Sequence, residues 1–277
     1  MSSSTDNPPN ETVIRALTPE LTIFSKPFSR FGIIPIGGRS TAVRLRDGKV
    51  WVLASTPLNI QTKQKLDEMG EVAYLVAPDN VHHLYLSEYA KSYPSAKLIG
   101  VEGLEEKKKE EGLCFHGVYG RDPEGTLYGF EDEIQSRYFA TFTNKDVAFN
   151  HVASKTLITA DLLFNMPANE QYANTQKGKP TSKIPFLASL SGYVNPFSGF
   201  HKSFLGLAGV GAGIPGLASG GTKEERRKRF AQDAAAVAAW DFERIVMCHG
   251  DVIERDGRKA WIAACSKYLN PDGKSKF

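Results

Sequence analysis

The sequence predicts a layered α/β protein, and three observations carry that expectation. Strand-like and helix-like patterns alternate from residue 40 to residue 111, the order of a sheet built with crossover connections. A hairpin signal opens this stretch, where STAVRL (Ser40 to Leu45) and KVWVLAS (Lys49 to Ser55) are joined by Arg46-Asp47-Gly48, with the Asp-Gly pair of tight hairpins. Three apolar strand patterns then run into residues able to hold an ion or move a proton. Leu75 to Ala77 precedes His82 and His83, Leu157 to Thr159 precedes Asp161, and Ile245 to Met247 precedes His249. Strand ends are where open sheets present reactive groups, because the chain leaves the layer there and borders a crevice.

The N-terminal residues 1–12, MSSSTDNPPNET, are polar and proline-bearing and lack the basic start and apolar centre of a secretory signal. They are expected to be a disordered tail before one domain spanning 13–277. Val13 to Ile23 has β-prone ends around a Thr-Pro-Glu turn, and Lys26 to Ile36 mixes aromatics with Pro and Gly as a covering loop or short edge strand would. After the hairpin, Thr56-Pro57 ends the strand. Ile60, Leu66 and Met69 then fall at helical spacing up to Gly70. Val72 to Ala77 is a buried strand, Leu84 to Ser92 a helix, Lys97 to Val101 a short strand and Gly103 to Glu111 a charged helix.

The second half is expected to contribute short strands at Glu133 to Phe139, Val147 to His151 and Thr156 to Ile158. Residues 165–183 are polar and irregular and 197–221 rich in glycine and aromatics. Together, 165–221 reads as a loop insertion, a lid or mobile segment. Thr222-Lys223-Glu224-Glu225 is a capping box opening an alanine-rich helix to Trp240. Glu243 to Cys248 is a buried strand, and Gly257 to Tyr268 a closing helix.

Bulk properties narrow the function. The chain has 277 residues, 41% hydrophobic, with a net charge of +3. That balance gives no electrostatic case for nucleic acid, while a pI near 8.6 leaves an anionic small molecule open as substrate. Three widely spaced cysteines, Cys114, Cys248 and Cys265, argue against a disulfide framework and for a reducing, cytoplasmic setting. The stretch 204–221 is too short and too interrupted by Pro215 to span a membrane.

Three imidazoles and a carboxylate, His82, His83, His249 and Asp161, form a complete tetrahedral set for a divalent metal, with zinc first and iron or manganese as alternatives. The bland counter-reading makes them hydrogen-bonded core residues. His116 and His151 are expected on the surface or on a strand face. His201 has a place at a lid, and Cys248, preceding His249 on a strand, should face the opposite way.

The strands STAVRL-RDG-KVWVLASTP, ITADLLF and IVMCHGD resemble the first strands, the aspartate-bearing strand and the terminal histidine of the metallo-β-lactamase superfamily. The chain looks like an uncharacterised branch carrying Asn-x-His-His in place of H-x-H-x-D-H. The resemblance implies a four-layer αββα sandwich. It also puts Asn80 and Pro78 where the motif's first two histidines belong, which removes one of the family's two metal positions. His82 then replaces the family's aspartate while His83, Asp161 and His249 match, implying a mononuclear site. Asp79 and Asp251 are placed to orient a ligand or accept a proton. The function implied is that of a metal-dependent hydrolase acting on a small ester or lactone through metal-bound water. A non-catalytic binding protein of the same fold and an iron-dependent redox enzyme are the alternatives.

Overall fold

A computed structural model describes residues 11–181, 194–211 and 220–277. Of the expected tail, residues 1–10 lie outside the described residues, as do 182–193 and 212–219 of the expected insertion; Thr12 is buried, its hydroxyl accepting from Asn59 Nδ2 at 2.7 Å.

The first half builds a seven-stranded sheet in the order β1-β2-β5-β6-β7-β8-β9. Its strands are β1 (Val13–Ala16), β2 (Leu21–Lys26), β5 (Gly38–Arg44), β6 (Lys49–Leu53), β7 (Glu71–Val76), β8 (Lys97–Val101) and β9 (Gly117–Tyr119). Up to β6 the neighbours are antiparallel, and from β6 onward they are parallel. The change of direction follows from the connections. A tight turn at 46–48 suffices for β5 to β6, whereas parallel strands need crossovers. These carry helices α1 (Ile60–Met69), α2 (Leu86–Ser92) and α3 (Leu104–Lys108). A small ribbon of β3 (Ser29–Arg30) and β4 (Ile34–Pro35) projects between β2 and β5.

The second sheet is β10 (Ile134–Tyr138), β11 (Val147–His151), β12 (Thr156–Thr159) and β13 (Arg244–Met247). β12 and β13 are parallel, so the chain between them crosses over through α4 (Asn169–Tyr172), α5 (Gly199–Val210) and α6 (Lys223–Ala238); α7 (Gly257–Ala264) follows β13.

Strand alternation divides the core. Phe149, Ile158 and Val246 join the apolar cluster of the seven-stranded sheet, where Trp51 meets Phe149 edge-on at 5.1 Å. Their neighbours Ala148, Leu157, Ile245 and Met247 join Phe230, Ala234 and Trp261 of the helices beyond. Leu66 and Met69 of α1 and Leu86 and Tyr89 of α2 are buried with the seven-stranded sheet. The outcome is helices, sheet, sheet, helices, the αββα sandwich expected. The capping box closes on α6 as read, Thr222 Oγ1 accepting from Glu225 N at 3.2 Å and Glu225 Oε2 from Thr222 N at 2.6 Å.

Two local expectations need correction. The glycine-rich stretch read as loop contains the twelve-residue helix α5. Ser198 Oγ caps it by accepting from His201 N at 3.1 Å. Its glycines serve close approach, since a Cβ on Gly209 would stand 2.6 Å from the Phe230 ring. Glycine lowers helix propensity by about 1 kcal/mol, and packing against α6 overrides it. Second, α2 begins at Leu86, two residues later than expected, so the turn that holds His82 and His83 runs on to Tyr85. Among the described residues no helix is long and apolar enough to cross a membrane.

Candidate metal centre

Three chain segments leave their strands at one end of the sandwich and bring His82, Asp161 and His249 together. Each is fixed by contacts of its own. After β7 the Asp79 carboxylate accepts from the backbone N–H groups of Val81 and His82, both at 2.7 Å, through Oδ1, and its Oδ2 lies 2.8 Å from His82 Nδ1. One buried carboxylate thus folds the turn and sets the ring. After β12, Asp161 N and Leu162 N donate to Asp146 Oδ2 at 2.7 and 3.1 Å, while Asn144 Nδ2 donates to Asp161 Oδ2 at 2.5 Å. After β13, His249 Nδ1 donates to the Gly37 carbonyl at 2.6 Å. Phe164 stacks on the His249 ring at 5.5 Å with an interplanar angle of 4°.

The consequence is geometric. His82 Nε2 and His249 Nε2 are 3.1 Å apart, and Asp161 Oδ1 lies 3.9 Å from the first and 3.5 Å from the second. With both Nδ1 atoms turned to oxygen acceptors, neutral rings direct bare Nε2 lone pairs toward each other and toward a carboxylate oxygen. Without a cation, a proton on His82 Nε2 donated to His249 Nε2 holds the two rings together, and a cation bound between them takes that proton's place. Two nitrogens on one tetrahedral zinc, at ~2.0–2.1 Å each, would be about 3.3 Å apart. The residues present therefore fit a small cation.

The electrostatics agree. Asp79 and Asp146 are fully buried and Asp161 nearly so. Burial, with Asp79 adding like charge against the pull of His82, pushes Asp161 up to about 6. Burial and the charges of Asp79 and Asp161 also hold Asp146 well above the carboxylate range. Burial alone would depress His82, but Asp79 and Asp161 outweigh it and raise the ring to about 10. Burial, then repulsion from His82, takes His249 down to about 3. This acidic pocket stabilises positive charge at its centre.

The loop carrying His249 rests on residues that the sequence pattern did not single out. Arg39, fully buried in β5, donates through Nη1 to the carbonyls of Met247 and Gly250, each at 2.7 Å, and through Nε to Ser25 Oγ at 3.0 Å. Gln171 Nε2 donates to the Cys248 carbonyl at 2.8 Å and Gln171 Oε1 accepts from Gly250 N at 3.0 Å. Gly37, at φ +70°, leaves room for that amide, since a Cβ there would lie 2.1 Å from Gln171 Oε1. An arginine directly before the strand pattern STAVRL was the available signal.

Other expected site residues lie elsewhere. His83 is outside the three-residue group; its half-buried ring is depressed by burial and by Lys108 and Lys107, on the α3 side. Of the four residues expected to hold an ion, the structure groups His82, Asp161 and His249. Asp251 accepts from Glu170 N at 2.8 Å and Asn169 Nδ2 at 2.9 Å. It anchors the first turn of α4 and is not turned to the site. Asp79 is fully buried, an orienting partner and not a proton acceptor open to a substrate. His201 is buried with Nε2 accepting from Phe164 N at 3.0 Å, which places it behind the site rather than on a lid. His151 pairs with Ser154 Oγ at 2.8 Å and Cys248 is buried in the core between the sheets.

Two clefts open at the centre. The smaller, about 80 Å³, is bordered by Phe28, Thr56, Tyr85 and His82; the larger, about 440 Å³, by Asp161, Phe164 and helix α5. Arg30 and His249 border both.

No protein-family model and no curated protein sequence matches the chain. Solved structures do. A metallo-β-lactamase from Hirschia baltica superposes with a TM-score of 0.56 at 10% identity, over 96% of this chain and 99% of that one. One from Erythrobacter litoralis, with β-mercaptoethanol in its active site, gives 0.56 at 13% identity over 93% and 96%. The FIM-1 enzyme from Pseudomonas aeruginosa, in its mono-zinc form, gives 0.55 at 9% identity over 92% and 93%. The chain has the metallo-β-lactamase fold, as its resemblance to that superfamily implied.

Proposed function

We propose that this protein is a metal-dependent hydrolase that holds one divalent cation with His82, Asp161 and His249 and cleaves small esters or lactones. The observation that carries this reading is the convergence of two imidazole Nε2 atoms and a carboxylate oxygen on one buried point, with both Nδ1 atoms already committed. Three protein ligands leave a coordination position open, the arrangement of catalytic and not of structural zinc. When bound, the cation would supply Lewis acidity and a water acidified toward neutrality. The fold neighbour FIM-1 is known in a mono-zinc form, so this fold can hold a single ion.

The chain's own residues do the rest. Asp79 holds the proton on His82 Nδ1 and the Gly37 carbonyl holds it on His249 Nδ1, so on each ring Nε2 is the atom left for a cation. Asn144 pins one oxygen of Asp161 and leaves the other facing the centre. Phe164 on one side and Phe28 on the other, at 6.2 Å, shield His249 from water. In hydrolysis, water adds to the substrate carbonyl carbon, the C–O bond breaks, and the alkoxide takes up a proton, giving an acid and an alcohol.

A second reading rests on the donor set itself. Two histidines and one carboxylate with open positions also suit mononuclear iron and oxygen chemistry. Elemental analysis of protein purified without chelator, with anaerobic optical spectra and an ester and lactone panel, separates the two. The hydrolase reading expects one zinc or manganese per chain and turnover lost in His249→Ala. Metal-free protein whose stability ignores added zinc would end both readings.

A further inference from the structure

Helix α5 is apolar on two faces. One face, with Leu205 and Gly209, is buried toward α6, where Gly209 meets Phe230. The other carries Phe200, Phe204, Leu207 and Ala208, at spacings that fall on one side of a helix, and all four line the larger cleft. Phe200 is 57% exposed and Leu207 36%. Phe142 and Phe164 meet Phe204 edge-on at 6.3 and 5.3 Å, and Asp161 and His249 complete the lining. The cleft is thus an apolar chamber of about 440 Å³ bordered by the candidate metal centre, within the range of small-molecule sites.

Arg30 supplies the charge. Its side chain is exposed at the junction of both clefts. Among the described residues it forms no ion pair, its one ring partner being Phe31 at 5.3 Å. Once a cation takes up the charge of Asp161, this guanidinium is left without an internal counter-charge. An arginine at the mouth of an apolar chamber matches a carboxylate in charge and planar geometry.

We propose that the larger chamber binds the apolar arm of a medium-chain acyl ester or lactone, and that Arg30 pairs with the fatty carboxylate that hydrolysis releases beside the centre. The proposal rests on the hydrolase reading for the reaction, but its binding part stands independently.

The test is calorimetric binding of butyrate, octanoate and dodecanoate to the full chain, zinc-loaded and chelator-treated. Burial of four further methylenes should make octanoate at least tenfold tighter than butyrate. Leu207→Asp and Phe200→Asp, both at exposed positions, should each bring octanoate down toward butyrate. Arg30→Gln should weaken octanoate about tenfold, Arg30→Lys less, with neither affecting octanol. Equal affinities along the series, or a length preference that survives both aspartates, would overturn the proposal. Length-dependent binding without any ester turnover would instead remove the hydrolase reading and leave the chamber assignment standing. Turnover indifferent to acyl length would do the reverse.

Discussion

His82 and His249, 167 residues apart in the chain, face each other through their Nε2 atoms at 3.1 Å. Their opposite nitrogens are held by Asp79 and by the Gly37 carbonyl. This pairing places two lone pairs at one point, so a change at either ring's outer nitrogen is felt at the centre.

Asp79→Asn should impair the centre out of proportion to its size. The amide oxygen can keep the bonds from Val81 N and His82 N, but its NH₂ then faces His82 Nδ1 and forces the ring proton onto Nε2. Zinc affinity should fall about 10–100-fold, as for other residues that orient metal ligands. Competition with a chromophoric chelator measures this, and unchanged affinity would show that the tautomer is not set by Asp79.

Zinc should stabilise the folded protein through three residues and not four. At about one hundred times the dissociation constant the gain is about 2.7 kcal/mol, read as a shift in denaturation midpoint. His82→Ala, Asp161→Asn and His249→Ala should lose that shift, whereas His83→Ala should retain it. Loss of the shift in His83→Ala would restore the four-ligand reading.

Arg39→Met should both destabilise the fold and loosen the centre. It removes the buried donors to Met247 O and Gly250 O and leaves Glu170 with Arg15 alone as ion-pair partner. Charged hydrogen bonds of this kind contribute about 1.5–3 kcal/mol, and the carbonyls they leave are buried. Urea denaturation and zinc titration of the same variant report the two effects. A drop in stability with full zinc affinity would show that the loop holds His249 without Arg39.

His201 gives a pH dependence. Burial lowers it from 6.5 to about 4. Between these values the unfolded chain binds a proton that the folded protein refuses, so stability falls as the pH drops through this window. The loss is on the order of 3 kcal/mol once the pH is below the folded value, and nothing is lost above 6.5. His201→Gln, which keeps an acceptor for Phe164 N, should flatten the dependence. Equal slopes for the two proteins in chelator, from neutral pH down to about 4.5, would assign the acid sensitivity elsewhere.

The sequence alone determined the longer strands, though not β9 at 117–119, the hairpin at 46–48, the capped helix after Thr222, and that His82, Asp161 and His249 close three strands, because periodicity, turn residues and caps are local properties. Only the tertiary structure decided which of the neighbouring histidines turns inward, that Asp251 anchors α4, that Arg39 and Gln171 hold the last loop, and that a glycine-rich stretch is a helix. Those outcomes depend on side-chain direction and on partners far away in the chain. The His83 ring lies near the lysines of α3, the glycine at 209 has its reason in Phe230, and the arginine at 39 in carbonyls that arrive more than two hundred residues later.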